Sequence, residues 1–238
     1  MSLRSLVNLL YPPRCLLCHR DTSRTAEVFC ELCAQEMPSL LPPACQRCGV
    51  GLSGAYDART SCQRCQTTSF TFELARAPLV YTGPVREAIH AFKYHGHHRI
   101  GRWLAHQMME PAKRHLPLAD IDLILPVPMH WLKQRVKGVN PAETLAQAVS
   151  QRLDLPYATG LLRRIRWTAS QTRLSLRQRA RNVQGAFRAH APRVVDRTIL
   201  LVDDVLTSGA TAQACATALQ AAGAPCVFVL TAACAPGA

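Results

Sequence analysis

The sequence predicts an α/β protein in which a parallel-sheet domain follows a small cysteine-rich segment. Three observations carry this expectation. Eight of the 11 cysteines fall in the first third of the chain as Cys-x-x-Cys pairs. Beyond residue 70, short apolar strands alternate with amphipathic helices, the pattern of a parallel sheet with helices on its faces. One strand ends in two adjacent carboxylates and a hydroxyl-rich turn into a helix, at the edge where open α/β sheets bind ligands. The expected division is residues 1–70 and residues 71–238.

Composition sets the outer limits. The chain has 238 residues, with 28 Lys+Arg against 15 Asp+Glu, a formal charge of +13. A hydrophobic share of 48% with 18% charged residues excludes a largely disordered chain. Near the start, Tyr11-Pro12-Pro13-Arg14 ends the apolar run of Met1 to Leu10 too early for a signal peptide. No stretch supplies the roughly 20 uninterrupted apolar residues that a bilayer requires. The most apolar tail, Ala218 to Ala235, is broken at Gly223-Ala224-Pro225. A cytoplasmic location is therefore expected, where clustered thiols more often hold metal than form disulfides.

The pairs are Cys15/Cys18, Cys30/Cys33, Cys45/Cys48 and Cys62/Cys65. A two-residue spacer lets both sulfurs of one tight turn reach the same ion, and two such turns complete a tetrahedral zinc site. Consecutive pairing makes one site from the first four cysteines and a second from the last four, a double zinc ribbon; spacing alone leaves a cross-braced pairing open. Four thiolates leave no position for water, so both zincs are expected to be structural. With few large apolar residues around them, folding of this segment should depend on the metal.

After a polar linker at Gln66-Thr67-Thr68-Ser69, Leu74 to Tyr81 is expected as a strand and Val85 to Phe92 as a helix entered through Gly83-Pro84. A second helical pattern runs from Ile100 to about His115, with Trp103, Leu104, Met108 and Ala112 on one face. Ile121 to Pro128 reads as a buried strand ending in a proline-stiffened loop, and Pro141 to Leu153 as a helix with proline in its first turn. Thr198 to Val202 forms another buried strand, Thr211 to Ala222 a helix, and Cys226 to Thr231 a closing strand. Cys215 and Cys226 read as small core residues, whereas Cys234 falls in the tail without a role.

Ligand chemistry concentrates in Val202-Asp203-Asp204-Val205-Leu206-Thr207-Ser208-Gly209-Ala210-Thr211. Thr207, Ser208 and Thr211 offer hydroxyls, and backbone N–H groups of the turn and helix start can cradle a phosphate. Gly209 allows close approach of backbone to ligand. Asp203 and Asp204 stand where a sugar's paired hydroxyls need acceptors. Helix capping alone would use one such residue, and this turn supplies five.

That stretch resembles the phosphoribosyl-pyrophosphate motif of type I phosphoribosyltransferases. Together with the cysteine pairs, the chain resembles the ComF family of competence-associated proteins, GntX type included. Further matching pieces are Phe92-Lys93-Tyr94 with Gly96, Pro126-Val127-Pro128, Gly138 with Asn140, and Thr168, Gln171, Leu174, Arg177, Arg181, Asn182, Gly185 and Phe187. The resemblance implies a double zinc ribbon before a type I phosphoribosyltransferase-like domain, and a role in natural transformation or in using DNA as a nutrient, with DNA-uptake machinery at the inner membrane as a possible partner. It further implies that Asp203 and Asp204 take the ribose hydroxyls as the catalytic carboxylates. Thr207, Ser208, Gly209, Ala210 and Thr211 take the 5′-phosphate. Val127 and Pro128, with Lys133, Arg135 and Lys137 beyond them, face a pyrophosphate that carries magnesium. Val139 and Pro141 depart from the family, which has an aromatic residue before the Asn and a Gln after it.

From Leu155 to Val195 the chain has nine arginines and no acidic residue. Charge runs are usually solvated faces, yet arginine suits bidentate phosphate contacts. Arg163, Arg164, Arg173, Arg177 and Arg181 are the candidate nucleic-acid contacts, and Trp167 offers a base a stacking surface. Two functions follow: a phosphoribosyltransferase using phosphoribosyl pyrophosphate, or a single-stranded-DNA-binding module that keeps the sugar-phosphate pocket as a ligand site only.

Overall fold

The computed structural model describes residues 14–22, 28–52, 60–95, 97–168 and 176–236, and leaves aside the side chains of His95, Lys133, Val136, Lys137, Leu176 and Arg177. Its centre is a five-stranded sheet whose pairings are all parallel. Strand β7 (Val227–Cys234) pairs with β6 (Ile199–Leu206) on one side, and β6 pairs with β3 (Leu123–Pro126). On its other side β7 meets β1 (Ala75–Arg76) and then β2 (Leu79–Val80). The strand expected over Leu74 to Tyr81 is thus two short pieces interrupted at Ala77-Pro78, since proline cannot donate to a ladder.

Both long strands exceed their expected ends. The ladder between β6 and β7 continues through Asp203↔Thr231 to Leu206↔Cys234, so the carboxylates lie within the strand rather than past it. Cys234 closes β7 and is buried, which corrects its assignment to a tail.

Helix α3 (Gly83–His95) follows β2, then α4 (His98–Gln107) and α5 (Met109–His115). The single helix expected from Ile100 to His115 is broken at Met108. Pro111 lacks an N–H and its ring crowds the carbonyl four residues earlier, so the ladder cannot run through Gln107. Helix α6 (Trp131–Lys137) and α7 (Pro141–Leu153) follow β3. The Asn140 side chain caps α7 by accepting from Ala142 N–H at 3.2 Å, and Pro141 occupies the first helical position, as its fixed φ favours.

A smaller antiparallel ribbon of β4 (Leu162–Arg164) and β5 (Phe187–Ala189) flanks α8 (Leu176–Val183). Helix α9 (Ala210–Gln220) connects β6 to β7, and α1 (Glu31–Gln35) and α2 (Gln63–Thr67) are single turns beside the cysteines.

The sheet buries both faces, and alternation along β6 separates them. Leu200 and Val202 join Ile89, Leu104, Leu145 and Val149 from α3, α4 and α7. Ile199 and Leu201 face Cys215, Ala216 and Leu219 of α9 with Phe187 and Val183. Each face also receives one cysteine group: Cys15 and Cys33, with Phe29, pack into the first core, and Cys45 and Cys48, with Phe70 and Phe72, into the second. Phe29 meets Trp103 of α4 edge-on at 4.9 Å. Among the described residues, no helix is long and apolar enough to cross a membrane.

Candidate functional site

The cysteines resolve into two tetrads, Cys15/Cys18/Cys30/Cys33 and Cys45/Cys48/Cys62/Cys65, with the ligand atoms of each within 4.8 Å of one another. Consecutive pairing is therefore the arrangement adopted, and the cross-braced alternative is not. An ion with Zn–S bonds of about 2.3 Å spaces tetrahedral sulfurs about 3.8 Å apart. The Sγ separations of 3.5 Å for Cys18–Cys30 and 3.6 Å for Cys48–Cys62 fit that geometry, and all eight thiols are free of disulfides. Four soft sulfurs in a closed set fit structural zinc.

The phosphate-type turn leaves the carboxyl end of β6. Gly209, at φ +78°, is the N-cap of α9, a left-handed conformation that favours glycine. Ser208 is buried, and its hydroxyl accepts from Ala210 N–H at 3.4 Å. Thr207 and Thr211 are half-buried. The loop is thus pre-bent, with its amide groups at a helix start where an anion is favoured.

Beside the loop, Asp203 and Asp204 sit among cations brought from distant segments. Lys93 Nζ lies 2.8 Å from Asp204 Oδ1, with both side chains largely buried. Burial opposes the charge on Lys93, but Asp204 and then Asp203 outweigh it and hold the ammonium above its usual range. Asp203 takes an N–H from Asp204 at 2.8 Å. Burial first, and then the Asp204 charge, push its carboxyl up to about 8, against the pull of Lys93 and Arg164. Lys93 stood in the sequence only as a matching piece, without a role; its position late on α3, one helix beyond the sheet edge, gave no sign of a partner on β6.

The remaining sequence candidates divide. Val127 is buried: its N–H donates to Val202 O at 2.8 Å and its carbonyl accepts from Asn140 Nδ2 at 3.0 Å, tying the turn after β3 to both β6 and α7. Pro128 follows, half-buried. Lys133, Arg135 and Lys137 lie on α6; Arg135 is exposed with its guanidinium 5.3 Å from the Trp131 ring centre, and the other two side chains are outside the described residues. Arg163 is exposed and bonds its own turn at Gly160 O. Arg164 points inward instead, bonding Thr168 and lying 5.5 Å over the Phe187 ring. Its burial lowers the guanidinium's pKa, with Asp203 among the groups opposing that shift. Arg181 is exposed on α8, Arg173 lies outside the described residues, and so does the Arg177 side chain.

Trp167, expected as a stacking surface, is joined by two aromatic side chains that the sequence reading did not single out, His130 and Trp131. The buried His130 accepts from Leu132 N–H through Nδ1 at 3.3 Å, capping α6, and its ring meets Trp167 edge-on at 5.1 Å. Trp131 and Trp167 are both about half exposed.

A double zinc ribbon joined to a parallel α/β sheet, whose strand β6 carries two adjacent carboxylates and leads through a hydroxyl-rich turn into α9, defines the class. The model of the double zinc ribbon domain family matches residues 6–66. Competence protein F of Haemophilus influenzae is 30% identical over 203 residues, covering 83% of this chain and 86% of that protein. The chain belongs to the competence protein F family, the ComF family. DNA utilization protein YhgH is 29% identical over 224 residues in both Salmonella typhimurium and Escherichia coli K12, covering 93% of this chain and 96% of theirs. Among solved structures, the allosteric regulatory enzyme of purine biosynthesis is 22% identical over 56% of this chain, with a TM-score of 0.37. Glutamine phosphoribosylpyrophosphate amidotransferase from B. subtilis is 21% identical over 54%, also at 0.37. This chain spans 25% of each of those enzymes.

Proposed function

We propose that this protein binds phosphoribosyl pyrophosphate or a related sugar phosphate at the end of β6, and serves in handling DNA as the names of its relatives indicate. The observation that carries the reading is the order Asp203-Asp204, Thr207, Ser208, Gly209, Ala210 and Thr211 at the carboxyl edge of a central parallel strand. The amides and hydroxyls of 207–211 receive the 5′-phosphate, and Asp203 and Asp204 receive the ribose hydroxyls. Magnesium accompanies the ligand on its own pyrophosphate oxygens. Lys93 neutralises one carboxylate so that the pair tolerates burial beside an anionic ligand.

If the bound ligand reacts, the bond between ribose C1 and the pyrophosphate oxygen breaks and a nucleophilic acceptor bonds to C1. Holding the ribose phosphate against the developing positive charge, and the pyrophosphate as it leaves, is the work of the site. In this reading Arg164, half-buried and within the field of Asp203, supplies a positive charge beside the ligand.

Calorimetric titration of phosphoribosyl pyrophosphate with magnesium tests this. Wild-type protein is expected to bind, and an Asp203→Ala, Asp204→Ala variant to bind about 10- to 100-fold more weakly, the worth of one or two charge-assisted hydrogen bonds. Absence of binding to the wild type overturns the reading.

A second reading rests on the half-exposed Trp131 and Trp167, on Arg135 over the Trp131 ring, and on the exposed Arg163 and Arg181. Such a surface stacks bases and attracts phosphates, as a single-stranded-DNA module does. It requires affinity for single strands that falls steeply with salt and is weakened by replacing Trp167 or Arg181.

A further inference from the structure

The two tetrads are built differently. Both knuckles of the second read Cys-Gln-Arg-Cys, at Cys45 to Cys48 and at Cys62 to Cys65, whereas those of the first are Cys-Leu-Leu-Cys and Cys-Glu-Leu-Cys. Arg64 bonds the phosphate loop directly, and Arg47 bonds the Phe70–Phe72 segment whose first ring lies against that loop. Arg64 donates to the Thr207 carbonyl at 2.7 Å through one nitrogen and to Cys48 Sγ at 3.9 Å through another. Arg47 donates to the carbonyls of Phe70 and Phe72, the latter at 3.0 Å. The Phe70 ring in turn lies against Gly209: a Cβ added there would sit 2.9 Å from it.

We propose that Arg64 and Arg47 make the second cysteine tetrad the positioning element of the phosphate loop, so that metal held by Cys45, Cys48, Cys62 and Cys65 and anion held by residues 207–211 favour each other. The peptide plane supplies the mechanism. With the Thr207 carbonyl held by Arg64, the following Ser208 N–H must point the opposite way, away from the ribbon. Phe70 packs against the same turn at its left-handed Gly209. Arg47 and Arg64 lie between the paired cysteines of the two knuckles, so an ion held by all four sulfurs would fix the backbone that carries both guanidiniums, and its loss would free that backbone. Coupling of this kind is reciprocal: whatever factor the metal contributes to anion affinity, the anion contributes to metal affinity.

The test uses the full zinc-loaded chain and needs no activity. Hydrogen exchange at the amides of 207–211 is compared in wild type, Arg64→Gln, Arg64→Lys and Arg20→Gln, with zinc content measured on each. Arg20 is the matched control, since its guanidinium pairs with Cys18 of the first tetrad. Arg64→Gln is expected to speed loop exchange about tenfold, as loss of one charged hydrogen bond predicts. Arg64→Lys retains charge for the thiolates but not the two-ended reach, and should restore zinc retention without restoring loop protection. Arg20→Gln should leave the loop unchanged. Unchanged exchange in Arg64→Gln, or equal loosening by Arg20→Gln, overturns the proposal. Should Arg64→Gln not fold, Phe70→Leu removes the second support and is judged by the same two outcomes.

The ligand arm rests on the function proposed above and is read separately. Phosphoribosyl pyrophosphate with magnesium is expected to slow release of one zinc to a chelator several-fold in wild type and not in Arg64→Gln. Equal slowing in both overturns the coupling. Failure of wild type to bind the compound instead counts against the proposed function, and loop exchange still decides the role of Arg64.

Discussion

Lys93 on α3 and Asp204 on β6 meet at 2.8 Å, joining the first helix after β2 to the strand that leads into the 207–211 turn. The ion pair matters because Asp203 stands next to Asp204 in the same partly buried edge. Two carboxylates there repel each other: the Lys93 ammonium pairs with Asp204, while burial and then the Asp204 charge push the Asp203 carboxyl up.

Replacing Lys93 by Met leaves Asp204 largely buried without its cation. Complete burial of such a pair would set the loss at 3–5 kcal/mol or so; with the residual exposure seen here, the expected destabilisation is about 2 kcal/mol. Urea unfolding at neutral pH measures it. A Lys93→Met, Asp204→Asn double variant should recover most of that loss, because it removes the stranded charge as well.

Asp203 provides a pH signature. Its carboxyl is held up to about 8 in the folded chain against an ordinary value of 3.8, so the folded state binds more protons between those limits. Stability from this group is therefore complete below the ordinary value and is lost as pH rises toward about 8. Asp203→Asn mimics the protonated form at every pH. The melting temperature of the variant minus that of wild type should rise from acid to about pH 8 and then level off; a difference independent of pH contradicts the assignment.

Metal removal should reach beyond the ribbons. Cys15 and Cys33 belong to the core on one face of the sheet, Cys45 and Cys48 to the core on the other. Elemental analysis is expected to give two zinc ions per chain, one for each tetrad. Stripping both should lower the melting temperature of the whole chain in calorimetry, not of a separate small transition. An unchanged midpoint after complete removal would show that the cores stand without the metal.

Gly209 is constrained twice, by its left-handed backbone and by the Phe70 ring. Gly209→Ala is expected to cost about 1–3 kcal/mol in stability, from the strained φ together with displacement of the ring. Chemical denaturation gives the cost. The same substitution should weaken sugar-phosphate binding more than a surface change of equal destabilising effect.

Asn140 links the turn after β3 to α7 through both ends of its amide. Asn140→Ala removes the helix cap and strands the Val127 carbonyl, for a loss of about 2 kcal/mol. Asn140→Asp keeps the cap oxygen and loses only the donor, so its midpoint should fall between those of Asn140→Ala and wild type.

What was legible in the sequence was local. Four successive Cys-x-x-Cys pairs point to shared ions, Asn140-Pro141 starts a helix within one turn, and Asp203 to Thr211 carries strand, turn and helix start in one short stretch. Those features determined the metal class, the bounds of α7 and the place of the turn that leads from β6 into α9. Tertiary structure decided the rest, because each remaining choice depended on what lies across space. Whether β6 stops at Val202 or runs to Leu206 rests on the facing residues of β7. Consecutive pairing of the cysteines comes from packing one tetrad against each face of the sheet. Lys93 and Arg64 could find Asp204 and Thr207 only after folding, since a charge has no preferred partner until burial makes an unpaired one costly. The repeated Cys-Gln-Arg-Cys was present in the sequence throughout, but the partners of its arginines, the Thr207 carbonyl for Arg64 and the Phe70 and Phe72 carbonyls for Arg47, come within reach only in the folded chain.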